Sequence, residues 1–134
     1  MDGSLSREQA AGMLVADVMI AKPKTLPPSA LVRDVRGVFE KKNVRTVLLV
    51  EGDVFRGAIE RDGVPMTAAD DEPALRFADA EPLTTTPETP VREVLPLLDG
   101  REEPRLIVLD EDGVTLRGLL CADSGGTGFC RSPA

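Results

Sequence analysis

Two stretches of the sequence repeat one pattern of apolar and polar residues. Residues 44–59 read VRTVLLVEGDVFRGAI, and residues 103–120 read EPRLIVLDEDGVTLRGLL. In each stretch, four consecutive apolar residues without polar alternation indicate a strand that is covered on both faces. An acidic turn follows, in which Gly52 or Gly113 can take the positive φ of a tight hairpin. The pattern therefore predicts two antiparallel hairpins.

The duplication extends to the segments before the hairpins. Residues 25–35 read TLPPSALVRDV and residues 84–94 read TTTPETPVREV, so that Pro28 aligns with Pro87 at an offset of 59 (87 − 28). In the second hairpin strands the offset is 61 (118 − 57), because the second turn is longer. This spacing indicates two copies of one small module rather than a solenoid. Each copy alone is too small for a sufficient core, which predicts that the two pack face to face.

Helical periodicity precedes both hairpins. The spacing of apolar residues predicts a helix over residues 30–42, capped by Ser29. Its predicted inner face is Leu31, Val35, Val38 and Phe39. In the second copy, Thr89 is the predicted N-cap, Pro90 fits the first turn, and Pro96 predicts a kinked or short helix. The predicted inner face of that helix is Val91, Val94, Leu95 and Leu98.

Shorter elements are predicted outside these segments. Ser6 is a candidate cap for a short N-terminal helix over Arg7–Leu14. Between the copies, Pro65 interrupts any helix, so we expect a turn over residues 60–71. The acidic residues that follow favour a new helix start with Pro73 in its first turn. The residues predicted to pack inward from that helix are Leu75 and Phe77.

The charge of the chain narrows the range of its partners. Across 134 residues the net charge is −7, and the pI is about 4.6. An acidic surface argues against nucleic acid and against anionic membranes as partners, because both require basic side chains. No apolar stretch approaches the roughly 20 residues that span a bilayer, and residues 1–9 show no secretory signal. We therefore expect a cytoplasmic protein.

Residues with catalytic or metal-binding chemistry are few. The sequence has no histidine, which is the commonest general base and metal ligand. The two cysteines, Cys121 and Cys130, lack the CxxC spacing of a zinc site. The acidic cluster at residues 70–72 is more typical of a helix start than of a metal site. These features predict a non-enzymatic protein without a cofactor, and a small enzyme that uses carboxylates is the weaker alternative.

The duplicated order of elements resembles a known family. An extended threonine segment, a helix, an apolar strand, a turn and a strand ending at glycine occur twice, as in a tandem pair of cystathionine-beta-synthase (CBS) domains, a Bateman module. The resemblance implies a mixed α/β (α+β) fold of two β-α-β-β-α repeats, at residues 15–71 and 72–123, packed through their sheets. Residues 1–14 then form a helical segment, and residues 124–134 form a flexible tail.

The resemblance also implies a ligand. Many family members bind AMP, ADP, ATP or S-adenosylmethionine in clefts between the two repeats, and they regulate an attached or associated enzyme or transporter. In the family, the second hairpin strand commonly ends G-h-h-T-x-x-D (h is apolar), whose hydroxyl and Asp engage ribose and phosphate. Here Glu60 and Cys121 stand at the hydroxyl position, and Asp62 and Asp123 each fall one residue early.

The strand ends of both repeats form the predicted ligand site, because apolar walls with a few polar groups are typical of small-ligand pockets. Arg45 and Arg105 are the evident phosphate partners, and the alternative is that both are solvated surface arginines. For Asp62 and Asp123 the alternative is a turn or a helix cap. The full predicted set is Thr25, Arg45, Thr46, Ala58, Ile59, Glu60, Asp62, Thr84, Arg105, Leu120, Cys121 and Asp123.

The predicted function is regulation without catalysis. The first hypothesis is that the protein senses an adenine nucleotide and controls a protein partner. The second is a ligand-free dimerisation or protein-interaction module, since both copies depart from the family's ligand motif. The family's usual assembly and the apolar residues within Met13–Met19 also predict a homodimer.

Overall fold

The computed structural model describes residues 5–6, 12–42, 44–79, 82–98, 105–121 and 128–129. In chain order the elements are β1 (Leu5–Ser6), α1 (Val15–Val18), β2 (Thr25–Leu26), α2 (Val32–Phe39), β3 (Thr46–Glu51), β4 (Val54–Glu60), a 3-10 helix (Ala74–Phe77), β5 (Thr84–Thr85), α3 (Val91–Leu98), β6 (Arg105–Leu109), β7 (Leu116–Cys121) and β8 (Gly128–Phe129). The fold is mixed α/β, as predicted. Among the described residues, no helix has the length and apolar character needed to cross a membrane.

Contacts divide the chain into two compact units. The continuous unit is Lys24–Pro82, and the split unit joins Met1–Pro23 to Leu83–Pro133. This division differs from the order of the two sequence repeats, because residues that precede β2 pack with the second hairpin. The boundaries predicted at residues 15–71 and 72–123 concern the duplication along the sequence, and they stay predictions.

The continuous unit is a three-stranded sheet with helical elements packed against it. Strand β2 runs parallel to β3, and β3 and β4 form the predicted antiparallel hairpin. The apolar run of β3 is fully buried over Val47–Leu49, which agrees with a strand covered on both faces. The core cluster of this unit is Ala30, Val35, Leu49, Ile59 and Ala74.

The split unit has the same sheet, built from β5, β6 and β7. Strand β5 runs parallel to β6, and β6 and β7 form the second predicted hairpin. Its core cluster is Val15, Val18, Val91, Val94, Leu98, Leu106, Val108 and Leu120. Full burial of a side chain of this size contributes about 1.5–3 kcal/mol. Helix α1 is therefore part of the core of a sheet that lies about a hundred residues away in the sequence.

Both hairpins turn and bend at equivalent positions. Gly52 has a φ of 65° and Gly113 a φ of 76°, which confirms the positive φ predicted for the two turns. The register also shifts once in each hairpin, after Leu49 in the first and after Val108 in the second. These shifts are 59 residues apart (108 − 49), so the duplication includes the irregularities of the sheet.

A residue from another part of the chain extends the edge of each hairpin. In the continuous unit, Ala58 and Asp79 exchange two backbone hydrogen bonds of 2.9 and 2.8 Å, and in the split unit Ile20 and Leu119 exchange two of 2.8 and 3.0 Å. Asp79 and Ile20 are again 59 residues apart (79 − 20). Each precedes one repeat and pairs with the hairpin of the other. The two repeats therefore exchange their leading segments.

Glycine permits the close approach of these exchanged segments. A Cβ at Gly57 would lie 2.7 Å from the Cβ of Ala78, and a Cβ at Gly118 would lie 2.7 Å from the carbonyl oxygen of Ile20. These separations are much shorter than the roughly 3.5–4.0 Å of optimal contacts between carbon atoms. The Arg-Gly step of each hairpin thus marks the place where the foreign segment crosses.

The N-terminal segment differs from the helix predicted over Arg7–Leu14. Ser6 lies in strand β1 and does not cap a helix. The helix begins at Val15, where the carboxylate of Asp17 accepts the N–H of Leu14 at 3.0 Å. Residues 7–11 lie outside the described residues. Within the tail predicted over residues 124–134, strand β8 pairs with β1.

The other helices are also shorter than predicted. In α2 the carboxylate of Asp34, rather than the hydroxyl of Ser29, provides the cap by accepting the N–H of Leu31 at 2.9 Å. In the 3-10 helix the buried residue is Ala74, and the prediction for Leu75 is wrong, since it is 39% exposed. The buried residues of α3 confirm its predicted inner face at Val91, Val94 and Leu98.

Candidate functional site

A hydroxyl and a carboxylate meet at the strand ends of the continuous unit. Thr46 begins β3, Glu60 ends β4, and the two residues are register partners. The hydroxyl of Thr46 donates to Oε1 of Glu60 at 3.0 Å. Thr46 is only 5% exposed, so this bond satisfies its hydroxyl, as buried polar groups require. Glu60 is half-buried beside it.

Apolar residues form the rows of the sheet that adjoin this polar pair. Ile59 opposes Val47, and both are fully buried. One row further along, Ala58 opposes Leu48, which in turn opposes Thr25 on β2. The predicted residues Thr25, Ala58 and Ile59 therefore share one sheet with the polar pair. Thr25 is separated from that pair by two register positions.

The residue that follows Glu60 holds the end of helix α2. Arg61 donates hydrogen bonds to the carbonyl oxygens of Phe39 at 2.7 Å, Lys41 at 2.6 Å and Val44 at 2.6 Å. Its guanidinium carbon lies 5.3 Å from the centre of the Phe39 ring. A cation is favourable there because the last carbonyls of a helix lack helical partners. The sequence analysis missed Arg61, because a cation after a strand does not reveal its distant carbonyl partners.

Arg45 and Asp62 lie on the surface at the same end of the sheet. Arg45 is exposed, and its carbonyl oxygen accepts the N–H of Arg61 at 2.8 Å. Asp62 is exposed in the turn after β4, which is closed by a 2.8 Å hydrogen bond from Gly63 N–H to the carbonyl oxygen of Glu60. Arg45 therefore has the exposure of a solvated arginine, and Asp62 the position of a turn residue, which are the two alternatives that the sequence left open.

The equivalent strand end of the split unit pairs Arg105 with Cys121. Leu120, in the adjoining row, is fully buried. Cys121 is a half-buried free thiol at the end of β7. Thr84 is exposed at the start of β5. Asp123 lies outside the described residues, so the structure brings together four of the five residues predicted in this repeat on one sheet.

The two strand ends differ in what they can bind. An ionised Glu60 can only accept hydrogen bonds, whereas Arg105 can only donate them. Hydroxyl groups of a ligand suit the first strand end, and an anion suits the second. Within the described ranges, no group of three or more side chains could hold a metal ion. The arrangement therefore favours recognition of a polar small molecule through hydrogen bonds.

One carboxylate with a shifted pKa lies away from both strand ends. The pKa of Asp112 is lowered mainly because the Thr115 hydroxyl donates to its carboxylate, and the backbone N–H groups of Thr115 and Val114 add to the effect. Shifted pKa values concentrate at functional sites. Here, however, the donors belong to the turn of the second hairpin, so the shift stabilises that turn.

Comparison with known families gives two adjacent matches. The family model described as "CBS domain" matches residues 15–63 and 76–123, which together make up more than half of the chain. No curated protein gives a significant match to the sequence.

Solved structures of low sequence identity share the fold. The CBS-pair protein CBSX2 from Arabidopsis thaliana has a TM-score of 0.71 at 21% identity, covering 86% of this chain and 91% of that chain. CBSX2 in complex with AMP gives a TM-score of 0.70 at 21% identity, covering 86% and 92%. The CBS domain protein PAE2072 from Pyrobaculum aerophilum, complexed with AMP, gives 0.65 at 21% identity, covering 81% and 87%.

Proposed function

The chain belongs to the CBS domain family, and from this we propose that it is a non-enzymatic regulatory module that binds an adenosine-containing ligand at its strand ends. Two similar structures were solved with AMP bound. The ligand class considered is AMP, ADP, ATP or S-adenosylmethionine. Binding would control an associated protein, and the module itself would be a homodimer in the cytoplasm.

One observation carries this proposal: both hairpins end in a polar pair that adjoins a buried apolar pair. In the continuous unit, Thr46–Glu60 adjoins Val47–Ile59, and in the split unit Arg105–Cys121 adjoins Leu106–Leu120. Small-ligand sites combine apolar walls with a few orienting polar groups in this way. The repetition of the arrangement in both units supports a role beyond packing.

The charge of Glu60 favours the ribose over the phosphate as its contact. Its carboxylate accepts hydrogen bonds, so it suits the donor hydroxyls of a ribose, as acidic residues do in dinucleotide sites. A phosphate at about 4 Å from this carboxylate would be repelled by about 1 kcal/mol in water, and by about 4 kcal/mol at an effective dielectric of 20. We therefore propose that the first strand end prefers an uncharged adenosine moiety.

The test is a ligand screen on the purified full chain. Thermal unfolding is measured with adenosine, AMP, ADP, ATP and S-adenosylmethionine, and with guanosine as the control nucleoside. A ligand that binds only the native state adds about 2.7 kcal/mol at one hundred times its Kd, which is large enough to detect. Calorimetry then gives the Kd of each ligand that raises Tm. If no adenosine compound raises Tm at millimolar concentration while the protein unfolds cooperatively, the ligand proposal fails.

The second candidate function is a ligand-free dimerisation or protein-interaction module. The observation in its favour is that neither described strand end carries the hydroxyl that the family's ligand motif places there, since Glu60 and Cys121 occupy these positions. Equilibrium sedimentation separates the candidates. A stable dimer whose affinity is unaffected by adenosine compounds would support the second function, and a 14.3 kDa monomer at micromolar concentration would contradict the homodimer.

A further inference from the structure

A basic groove lies between strand β2 and helix α2, within the continuous unit. Its volume is about 400 Å³, within the range of small-molecule sites. Its lining residues are Lys24, Leu26, Arg33, Asp34, Gly37, Val38 and Lys41. None of them belongs to the predicted strand-end site.

The groove carries excess positive charge in an acidic protein. Lys24, Arg33 and Lys41 stand against the single carboxylate of Asp34, whereas the whole chain has a net charge of −7. Asp34 already accepts the N–H of Leu31 at the start of α2. Among the described residues, the ion pairs are Arg36–Asp70, Arg56–Glu51, Arg76–Glu72 and Arg117–Asp110. The three cations of the groove therefore have no acidic partner in the described part of the chain.

Hydrogen bonds to other elements fix the backbone beneath all three cations. The carbonyl oxygen of Lys24 accepts the N–H of Leu48 at 3.0 Å, and the N–H of Arg33 donates to the carbonyl oxygen of Asp70 at 3.0 Å. The carbonyl oxygen of Lys41 accepts a bond from the Arg61 guanidinium at 2.6 Å. The cations thus project from positions that are already ordered, which lowers the entropy lost when they bind an anion.

The groove also offers space and apolar surface. A Cβ at Gly37 would meet no neighbouring heavy atom within 4 Å, so the packing does not require glycine there. Leu26 and Val38 are half-buried beside it. A ligand with an organic part and an anionic part matches this combination better than a bare ion does.

The second repeat lacks the equivalent features. At the offset of 59, Leu83 corresponds to Lys24, Pro96 to Gly37, and Gly100 to Lys41. Only Arg33 keeps its charge, as Arg92. The basic groove is therefore a property of one repeat, and Arg92 provides a matched control.

We propose that this groove binds a small organic phosphate. The organic part lies against Leu26 and Val38, Arg33 binds phosphoryl oxygens through its planar fork, and the lysines supply point charges. The groove is separate from the strand ends, so this inference does not rest on the proposed adenosine ligand.

The experiment uses phenyl phosphate as the probe and benzyl alcohol as its uncharged control, on the full chain. Backbone amide shifts are followed by two-dimensional NMR. We expect saturable shifts centred on Gly37 with phenyl phosphate, and none with benzyl alcohol. Shifts that remain linear at millimolar concentration, or that spread evenly over both units, would overturn the proposal.

Three variants locate the binding. Arg33→Gln should weaken binding about fivefold or more, because one charge contact is lost, whereas Arg92→Gln should leave the affinity unchanged. Gly37→Leu keeps every charge and fills the groove, and it should also abolish saturation. Leucine is favourable within a helix, so this variant should remain folded, which the amide spectrum checks. Equal weakening by Arg33→Gln and Arg92→Gln, or full binding by Gly37→Leu, would refute the groove as the site.

Discussion

The two sheets share a backbone but differ at their strand ends. Register shift, turn glycine and exchanged segment recur at equivalent positions in the continuous and split units. By contrast, the pair Thr46–Glu60 of one unit corresponds to Arg105–Cys121 of the other. The shared features are those that build the sheet and its core. The features that differ are polar, lie at its edge, and set what each unit can bind.

The largest effect should follow from removing residues 1–20, which tests whether each unit depends on its exchanged segment. Val15, Val18 and Ile20 are at most 8% exposed in the split unit. Each contributes about 1.5–3 kcal/mol, so their loss approaches the total stability of about 5–15 kcal/mol. Hydrogen exchange should show unprotected amides in β6 and protected amides in β3. Equal protection of both strands in the truncated protein would contradict the exchange.

The two close-approach glycines should respond alike to alanine but differ in rescue. Gly57→Ala and Gly118→Ala each force the exchanged segment to move, at about 1–3 kcal/mol of overpacking. Ala78→Gly should restore the first variant, because the obstructing atom is the Cβ of Ala78. No side-chain change should fully restore the second, whose obstruction includes a backbone oxygen. Urea unfolding measures all four proteins, and failure of the Ala78→Gly rescue would show that the clash is not the cause.

Loss of the Arg61 side chain should loosen the continuous unit. Arg61→Met removes three charged hydrogen bonds to carbonyls, and we expect a loss of about 1.5–3 kcal/mol. Arg61→Lys should recover only part of this, because lysine lacks the fork. The control is Arg56→Met, which breaks an exposed pair with Glu51 worth about 0–1 kcal/mol. If both methionine variants unfold at the same urea concentration, Arg61 does not hold the helix end.

A smaller effect should distinguish the two strand ends in ligand binding. Glu60→Thr removes a negative charge and restores a hydroxyl donor, so AMP should bind about fivefold more tightly, while adenosine gains less. Cys121→Thr restores a hydroxyl without removing a charge, and should change AMP binding less. Calorimetry with both ligands on both variants measures this. Unchanged or weaker AMP binding by Glu60→Thr would mean that Glu60 is not the obstacle.

The smallest effect should be a pH dependence confined to the second hairpin turn. Because the folded-state pKa of Asp112 is lowered, its contribution to stability is present above the unfolded pKa of about 3.9 and is lost as pH falls through the folded value. Thr115→Val should remove this contribution and flatten the acid limb of Tm against pH. Asp53→Asn, in the first turn, is the control. An acid limb that Thr115→Val leaves unchanged would show that this bond does not stabilise the turn.

Local features of the fold could be predicted from the sequence, and exchanged ones could not. The hairpins and the positive φ at Gly52 and Gly113 depend on neighbouring residues, so periodicity and turn chemistry were sufficient. The pairing of Ile20 with Leu119 joins residues far apart in the chain, and no short-range pattern specifies it. The helix starts were misplaced for a smaller reason: the carboxylates of Asp17 and Asp34 bond backwards to the preceding turn, whereas the nearest hydroxyls do not.

The candidate site was predictable only where a motif marked it. The glycine-anchored strand end located Glu60 and Cys121, and the sheet register then placed Thr46 and Arg105 opposite them. The bond between Thr46 and Glu60 required knowledge of the register. The groove of Lys24, Arg33 and Lys41 was invisible in the sequence, because its cations come from a strand and from two turns of a helix.

The exchange of leading segments also imposes an order on folding during synthesis. The continuous unit closes over 21 residues (79 − 58), whereas the split unit closes over 99 residues (119 − 20). For flexible chains this difference costs about 1.4 kcal/mol of loop entropy. At about 5–20 residues per second, the 39 residues between Pro82 and Cys121 (121 − 82) take about 2–8 s to add. Throughout that interval Val15 and Val18 have no partner strand, so the nascent chain carries an uncovered apolar segment while its continuous unit is already complete.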